Sequence, residues 1–224
     1  MPHYAKVMKS SRLLPYLASL LALSLCLVAA AATAGWASLF NGKNLDGWEQ
    51  RNGQAKYEAK DKCIVGTSVP NSPNSFLCTK KNYGDFELQF DVKVDKELNS
   101  GVQIRSESRP DYQNGRVHGY QVEIAVGGFS GGIYDESRRN KFLNADQPTS
   151  EVKALLKENQ WNHYRVICQG SHIQVWVNKK QVTDLTDDMT KTGFIGLQVH
   201  GVGDRTAPLE VRWRNLRIRE LAPR

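Results

Sequence analysis

The chain has 224 residues, with 30 Lys and Arg against 23 Asp and Glu, a formal charge of +7, and 40% hydrophobic residues. These proportions exclude a disordered or collagen-like chain, and the length fits one large all-β domain or at most two small ones.

The N-terminal segment differs from the rest of the chain. Residues 1–34 contain three basic residues and no acid, followed by an apolar stretch that ends in Ala32-Thr33-Ala34. This order predicts a cleaved secretory signal over residues 1–34, and hence a periplasmic or extracellular protein without a stable membrane anchor. The alternative is a transmembrane anchor, since Leu17 to Ala34 could just span a bilayer, but no basic stop-transfer cluster follows Trp36.

Cleavage after Ala34 would remove three of the positive charges and leave residues 35–224, which are 190 residues with a formal charge of +4. Overall charge is then weaker evidence for nucleic-acid binding, because nearly half of the positive excess belongs to the predicted signal. We therefore expect no nucleic-acid partner.

Three cysteines remain in this predicted domain. Cys63 and Cys78 flank a turn-rich segment that could fold two strands into a hairpin, so a disulfide and two buried free thiols are both open. Cys168 lies in an apolar run and is expected in the core. No CxxC and no Cys/His cluster with metal spacing occurs, so the sequence predicts no zinc site.

After Trp36, short alternating apolar and polar segments are separated by Gly, Asn, Pro and Asp, which is typical of an antiparallel β-sandwich. The last run, Val211 to Ile218, changes phase near Asn215, as a β-bulge requires. One short helix is predicted over Ser150 to Glu158, with Ser150 as a candidate cap. No repeat or linker divides the chain, so one domain is expected.

Period-2 alternation sends one set of side chains in each strand outward. Four strands have outward rows rich in amides, and these rows are Gln103 with Arg105, Gln121 with Glu123, Gln198 with His200, and Gln174 with Trp176. Amides can donate to and accept from sugar hydroxyls, and an indole offers an apolar platform to a pyranose ring. The pattern indicates a carbohydrate site.

A glycine-rich segment runs from Gly127 to Arg139 and lacks the dinucleotide fingerprint and the P-loop spacing. We interpret it as a loop over the end of the sheet that brings Tyr134, Asp135 and two arginines near the polar face.

Several motifs together resemble the 3-keto-disaccharide hydrolase domain family, secreted bacterial proteins with a concanavalin A-like lectin/glucanase jelly roll. The resemblance covers residues 38 to 221 in order. Its motifs are Leu39-Phe40-Asn41-Gly42-Lys43-Asn44-Leu45-Asp46-Gly47-Trp48, Tyr83-Gly84-Asp85-Phe86-Glu87-Leu88, Asn99-Ser100-Gly101-Val102, Gly119-Tyr120-Gln121-Val122-Glu123-Ile124, Gly132-Ile133-Tyr134-Asp135, Trp161-Asn162, Gly196-Leu197-Gln198-Val199-His200-Gly201 and Arg214-Asn215-Leu216. Members often carry an acidic residue shortly after the position of Glu123, where this chain has Ala125-Val126.

The resemblance implies cleavage of a glycosidic bond in a sugar already oxidised at C3. Retaining glycosidases need two carboxylates about 5 Å apart, and this chain lacks the jelly-roll Glu-x-Asp-x-x-Glu spacing. A 3-keto group acidifies the C2 hydrogen, so that β-elimination followed by water addition needs one base, one acid and one oxyanion donor.

The hypothesis assigns Glu123 and His200 as base and acid in either order, with Arg105 stabilising the oxyanion. The residues expected to hold the sugar ring are Gln103, Gln121, Tyr134, Gln174, Trp176 and Gln198. A jelly roll can bind calcium, but no Asp and Asn cluster has convincing ligand spacing, so no cofactor or metal is predicted. The alternative function is a non-catalytic carbohydrate-binding module of the same fold, because fold alone does not decide function.

Overall fold

A computed structural model describes residues 1–2, 35–144 and 149–223. The predicted signal lies almost entirely outside these residues. Within the described part of the chain, no helix is long and apolar enough to cross a membrane.

The described residues form 14 strands and one short helix. In chain order they are β1 (Ala37–Ser38), β2 (Trp48–Asn52), β3 (Lys56–Lys60), β4 (Cys63–Thr67), β5 (Ser75–Thr79), β6 (Phe86–Val94), β7 (Ser100–Glu107), β8 (His118–Ile124), β9 (Ile133–Glu136), α1 (Ser150–Leu155), β10 (Asn162–Gln169), β11 (His172–Val177), β12 (Lys180–Thr186), β13 (Phe194–Val199) and β14 (Glu210–Glu220).

The strands form two antiparallel sheets, which confirms the predicted sandwich. The eight-stranded sheet has the order β12-β11-β10-β6-β14-β4-β3, with β1 paired to β14. The six-stranded sheet has the order β2-β5-β13-β7-β8-β9. The apolar residues of the alternating strands face inward, as in β6, where Phe86, Leu88, Phe90 and Val92 have 0% exposure. These side chains and those of Val102, Tyr120, Val122 and Leu197 belong to one core cluster, the expected packing of two inner sheet faces.

Two local predictions can be compared with the structure. The pairing of β14 with β6 shifts register between Arg214 and Arg217, and Asn215 has a φ of 53°, so the β-bulge near Asn215 is confirmed. The helix α1 is three residues shorter than expected, and Thr149 rather than Ser150 caps it by accepting a hydrogen bond from the Val152 amide at 3.1 Å.

The expected hairpin between Cys63 and Cys78 is wrong. The strand β4 pairs with β3 and β14 in the eight-stranded sheet, whereas β5 pairs with β2 and β13 in the six-stranded sheet. The turn residues between them carry the chain from one sheet to the other. Both cysteines are free and buried, as is Cys168.

Candidate functional site

The outer face of the six-stranded sheet contains a cleft of about 280 Å³. The register sets side chains from five neighbouring strands in two rows across this face. One row is Phe76, Gln198, Gly101 and Glu123, and the next is Cys78, Gly196, Gln103, Gln121 and Tyr134. The cleft is lined by Asn74, Asn99, Arg116, Gln121, Glu123, Tyr134, Glu136, Asn140, Phe142, Gln198 and His200.

A glycine makes room for the polar side chains of this face. A Cβ atom at Gly101 would lie 2.5 Å from Cδ of Gln121. Gln121 therefore lies across β7 only because position 101 has no side chain. The cleft depends on this close approach.

Glu123 is one of two buried carboxylates in the cleft, with 6% of its surface exposed against 7% for Glu136. The Asn99 side-chain amide donates to Oε1 of Glu123 at 2.6 Å, and the Gln121 amide donates to its Oε2 at 2.9 Å. Two donors from different parts of the chain thus fix the orientation of the carboxylate.

The orientation of Gln121 is set by a chain of hydrogen bonds behind it. Gln103 Nε2 donates to Gln121 Oε1 at 2.9 Å, and Ser106 Oγ donates to Gln103 Oε1 at 2.7 Å. Gln103 and Ser106 are buried and do not line the cleft. They position Gln121, and through it Glu123.

Burial raises the pKa of Glu123 above its usual value. The hydrogen bonds from Asn99 and Gln121 and the nearby His200 lower that pKa, and the charge of Glu136 raises it. Desolvation is the largest of these effects, because it disfavours the charged form of a carboxyl group. The result is a carboxylate that is a stronger base than an exposed one.

Two amides of the cleft have buried polar atoms without a partner in the structure. The three atoms are Oε1 and Nε2 of Gln198 and Oδ1 of Asn99. Buried polar groups are nearly always hydrogen-bonded, and leaving one unpaired costs about 1–3 kcal/mol. These atoms have almost no exposed surface, so a ligand with hydroxyl or carbonyl groups would contact them once the side chains that cover them shift.

The rim of the cleft carries groups that can exchange protons or hold charge. His200 is exposed, and its Nδ1 donates to the Gly201 carbonyl at 2.8 Å, which leaves Nε2 free. The Arg116 guanidinium lies 4.0 Å from Oε1 of Glu136, and its Nε donates to Ser137 Oγ at 2.6 Å.

Tyr134 completes the rim, and its ring contacts that of Phe142, with 5.1 Å between the ring centroids. Burial raises the pKa of Tyr134, with smaller effects in the same direction from Glu136 and Glu123. Among the described residues, no group of three or more His, Cys, Asp or Glu is arranged to hold a metal ion.

The structure brings together Gln121, Glu123, Tyr134, Gln198 and His200 of the predicted site, with Gln103 directly behind them. Arg105 is not part of it. The register of β7 against β8 shifts between Ile104 and Glu107, and Arg105 has a φ of 47°. This irregularity turns the Arg105 side chain away from the row of Gln103.

Arg105 instead binds groups of the other sheet and has no exposed surface. Its guanidinium donates to the carbonyls of Gly84 and Gly170 at 2.8 and 2.7 Å and to Asp85 Oδ1 at 2.8 Å. With these partners it joins the two sheets, and the prediction that it stabilises an oxyanion is wrong.

Gln174 and Trp176 also lie elsewhere, since β11 belongs to the eight-stranded sheet. Gln174 donates to Asp184 at 2.9 Å, and the Arg165 guanidinium lies 4.5 Å from the Trp176 ring centroid. Alternation shows that these side chains face outward but does not show on which sheet, so their assignment to the sugar site is wrong.

The interpretation of the segment from Gly127 to Arg139 is correct only for Tyr134, which lines the cleft. Ile133–Glu136 is the edge strand β9 rather than a loop, and the residue after Tyr134, Asp135, faces away from the cleft. Asp135 is buried and ion-paired with Arg138 and Arg139.

The cleft residues that sequence reasoning missed are Asn74, Asn99, Arg116, Glu136, Asn140 and Phe142. Asn99 stands in a motif that carries the family resemblance and could have been found there. Glu136 provides the second carboxylate that β8 lacks, but on the neighbouring strand. Arg116 belongs to a loop, where alternation gives no signal.

Comparison with known proteins agrees with this geometry. No curated protein matches the chain. A structure described as a putative glycosyl hydrolase from Parabacteroides distasonis superposes with a TM-score of 0.60 at 22% identity, covering 84% of this chain and 94% of that one.

Two further structures share the fold at lower identity. The carbohydrate-binding module CBM66 from Bacillus subtilis has a TM-score of 0.57 at 15% identity and covers 77% of this chain and 95% of its own. A Bacillus licheniformis β-glucanase has a TM-score of 0.55 at 12% identity, with coverage of 86% and 100%. The fold is thus that of jelly-roll glucanases and carbohydrate-binding modules.

The model of the 3-keto-alpha-glucoside-1,2-lyase-like domain matches residues 35–219. This range contains every residue of the cleft. The chain belongs to the 3-keto-alpha-glucoside-1,2-lyase-like domain family, and it is a glycosyl hydrolase-like or carbohydrate-binding jelly-roll domain.

Proposed function

We propose that the cleft binds a 3-keto-glycoside and cleaves its glycosidic bond by elimination followed by addition of water. The observation that carries this proposal is the buried Glu123 carboxylate, held by two amide donors beside unpaired polar atoms of Gln198 and Asn99. Family membership supports the same substrate class.

Glu123 is assigned as the base. It removes the proton from C2, which the 3-keto group acidifies, to give an enolate with a C2–C3 double bond. The enolate then returns its electron pair to form the C1–C2 double bond while the C1–O bond breaks and the C3 carbonyl is restored. Its burial and its fixed orientation suit a base that must reach one hydrogen of a bound ring. Glu123 leaves this step protonated.

His200 is assigned as the acid. Its Nδ1 donates to the Gly201 carbonyl, so in this role the ring is the doubly protonated imidazolium, and its Nε2 proton passes to the leaving oxygen. In the second step Nε2 takes a proton from water, hydroxide adds to C1, and Glu123 returns its proton to C2. Both residues then regain their starting states.

Arg116 replaces Arg105 as the donor to the enolate oxygen. It is the arginine that lines the cleft, and a fixed cation near developing negative charge lowers the barrier of such a step. Gln198 and Asn99 would bind the sugar hydroxyls with their unpaired atoms.

The second candidate is a binding module without catalysis. The unpaired amides would bind an unoxidised sugar equally well, and the two carboxylates of the cleft lie on different strands rather than at the Glu-x-Asp-x-x-Glu spacing of jelly-roll glucanases. The carbohydrate-binding module among the structural neighbours shares the fold.

Turnover of an aryl 3-keto-glucoside by the purified protein decides between these candidates. We expect Glu123→Gln and His200→Ala each to lower kcat by about 10²–10⁴-fold, as removal of an acid or base does. The matched controls are Glu58→Gln and His163→Ala, whose side chains lie outside the cleft, and they should keep full activity. Undiminished activity in both cleft variants would reject the assigned roles, and binding of an unoxidised glycan without any turnover would support the module.

We also propose that the protein is exported, so that this chemistry takes place outside the cytoplasm. The support is the predicted signal over residues 1–34. N-terminal sequencing of the protein from its native host should give a chain that begins at Gly35, and a chain that begins at Met1 would reject this proposal.

A further inference from the structure

The outer face of the eight-stranded sheet is strongly cationic and has no part in the proposed chemistry. Its central strands β14, β6 and β10 alternate, so that their buried apolar residues leave the charged ones outward. The cations of these strands that are not in the core are Arg165, Arg212, Arg214, Arg217, Arg219 and Lys93, against the carboxylates Glu87, Asp91, Glu210 and Glu220. The face therefore attracts anions.

Indole rings lie among these arginines. Arg217 and Arg219 lie 4.7 and 5.1 Å from the Trp36 ring centroid, and Arg214 lies 4.0 Å from that of Trp161. Trp36 is 37% exposed, which is high for so large an apolar side chain. A guanidinium stacked on an indole keeps its edge donors available for an anion.

A groove of about 510 Å³ crosses this face beside Trp36. Its polar lining includes Ser38, Asp91, His163, Asn215 and Arg217. The volume lies in the range of sites that bind small organic ligands.

Arg217 is the cation of this groove that lacks a carboxylate partner. Its Nε and Nη2 both donate to the neutral Gln89 Oε1, at 3.2 and 2.7 Å. Among the ion pairs of the described residues, none includes Arg217, whereas Arg165 and Arg219 share Glu87. The charge of Arg217 is available to a ligand.

Asp91 indicates that the ligand also carries a hydrogen-bond donor. Its Oδ1 accepts from His163 at 2.8 Å, and its Oδ2 accepts from Asn215 at 2.7 Å. These bonds lower the pKa of Asp91, although burial opposes them, so it is an anion in the groove. Oδ1 can accept one more hydrogen bond, which a hydroxyl group can donate and a phosphate diester cannot.

We propose that this groove is a second carbohydrate site that binds a segment of an acidic polysaccharide. A uronic acid ring would pack on the exposed part of Trp36, its carboxylate would bind Arg217, and a hydroxyl would donate to Asp91. A nucleic acid fits less well, because a phosphate diester has no hydrogen to donate to Asp91 and Trp36 is the one exposed indole of the described residues. The site lies on the opposite sheet from the cleft and does not depend on the function proposed for the cleft.

Calorimetric titration with a galacturonic acid hexasaccharide tests this proposal, with a neutral glucose hexasaccharide as the matched ligand. We expect the acidic oligomer to bind and its affinity to fall as salt rises. Arg217→Gln and Trp36→Ala should each weaken binding at least about tenfold, since each removes a charge-assisted or stacking contact. Both side chains are at the surface, so thermal unfolding should change little and will show that the variants are folded.

Two control variants test whether the acidic oligomer binds in this groove. Lys191→Gln removes an exposed cation away from the groove, and Glu123→Gln alters the cleft; neither should change the affinity. Binding that is absent in the wild type, or lost with Glu123→Gln, would overturn the proposal. Binding of single-stranded DNA or of anionic phospholipid vesicles in place of the acidic oligomer would also overturn it.

Discussion

The outward polar side chains of both sheets follow the same period-2 alternation, but they are buried to different extents on the two sheets. On the six-stranded sheet, Gly101 lets Gln121 lie flat across the sheet, and the amides and Glu123 become buried. On the eight-stranded sheet, β6, β10 and β14 contain no glycine, and their arginine side chains remain partly solvated. Burial therefore fixes a few polar groups on the outer face of the six-stranded sheet, whereas the outer face of the eight-stranded sheet carries many partly exposed charges.

The largest expected effect is the loss of stability on replacing Arg105, which is buried instead of lying on the outer face of its sheet. Arg105→Gln would remove the guanidinium from two carbonyls and from Asp85, which would keep only the Gly170 amide as a donor, and breaking a buried ion pair costs about 3–5 kcal/mol. Urea unfolding should show this loss of stability. The matched change Arg217→Gln on the outer face should cost less than about 0.5 kcal/mol. A folded Arg105→Gln protein of normal stability that cannot process substrate would restore Arg105 to the site.

The next effect tests whether the glycine makes the cleft. In Gly101→Ala the new methyl group would meet Gln121 at 2.5 Å and displace the amide that donates to Glu123. A catalytic group misplaced by about 1 Å can lose roughly 10²-fold in rate, so kcat/KM for the 3-keto-glucoside should fall by about that factor.

Gly84→Ala is the matched control for Gly101→Ala. A Cβ there would have its nearest neighbour, the Lys191 carbonyl oxygen, at an ordinary 3.6 Å, so activity should stay close to that of the wild type. Full activity of Gly101→Ala would show that Gln121 does not need its present position.

The sequence predicted the sandwich because alternation and turn residues are local signals, and it predicted Glu123, Gln121, Gln198 and His200 because regular strands keep their phase. It failed at Arg105, where a bulge with a left-handed residue breaks that phase. It failed at Trp176 and at the two cysteines because no local signal says which sheet a strand joins. Arg116 and Glu136 reach the cleft through a loop and an edge strand, whose placement depends on tertiary contacts.

A smaller expected effect is the change in the free energy of unfolding with pH that the buried Glu123 carboxyl group causes. The folded protein raises the pKa of Glu123, so the folded state holds the proton more tightly than the unfolded state, and stability falls as pH rises past the unfolded value of about 4.3. Glu123→Gln removes this penalty, so the stability of the variant relative to the wild type should rise from acid to neutral pH.

Unfolding of both proteins followed from acid to neutral pH checks this sign. The advantage of Glu123→Gln should shrink toward acid pH, where the carboxyl group is protonated in both states. An advantage that grows toward acid would mean that the carboxylate is stabilised in the folded protein.

The smallest effect is expected from replacing Trp176. This substitution tests directly whether the two outer faces have separate roles. Trp176→Ala removes a cation–π contact with Arg165 at a partly exposed site, so it should cost about 0.5–1 kcal/mol of stability. Because β11 is in the other sheet, kcat/KM for the 3-keto-glucoside should stay within about twofold of the wild type. Tyr134→Ala, which removes an aromatic ring from the cleft itself, should raise KM in the same assay. A Trp176→Ala protein with raised KM and normal stability would mean that the sugar reaches the eight-stranded sheet, and the division of roles between the two faces would then be wrong.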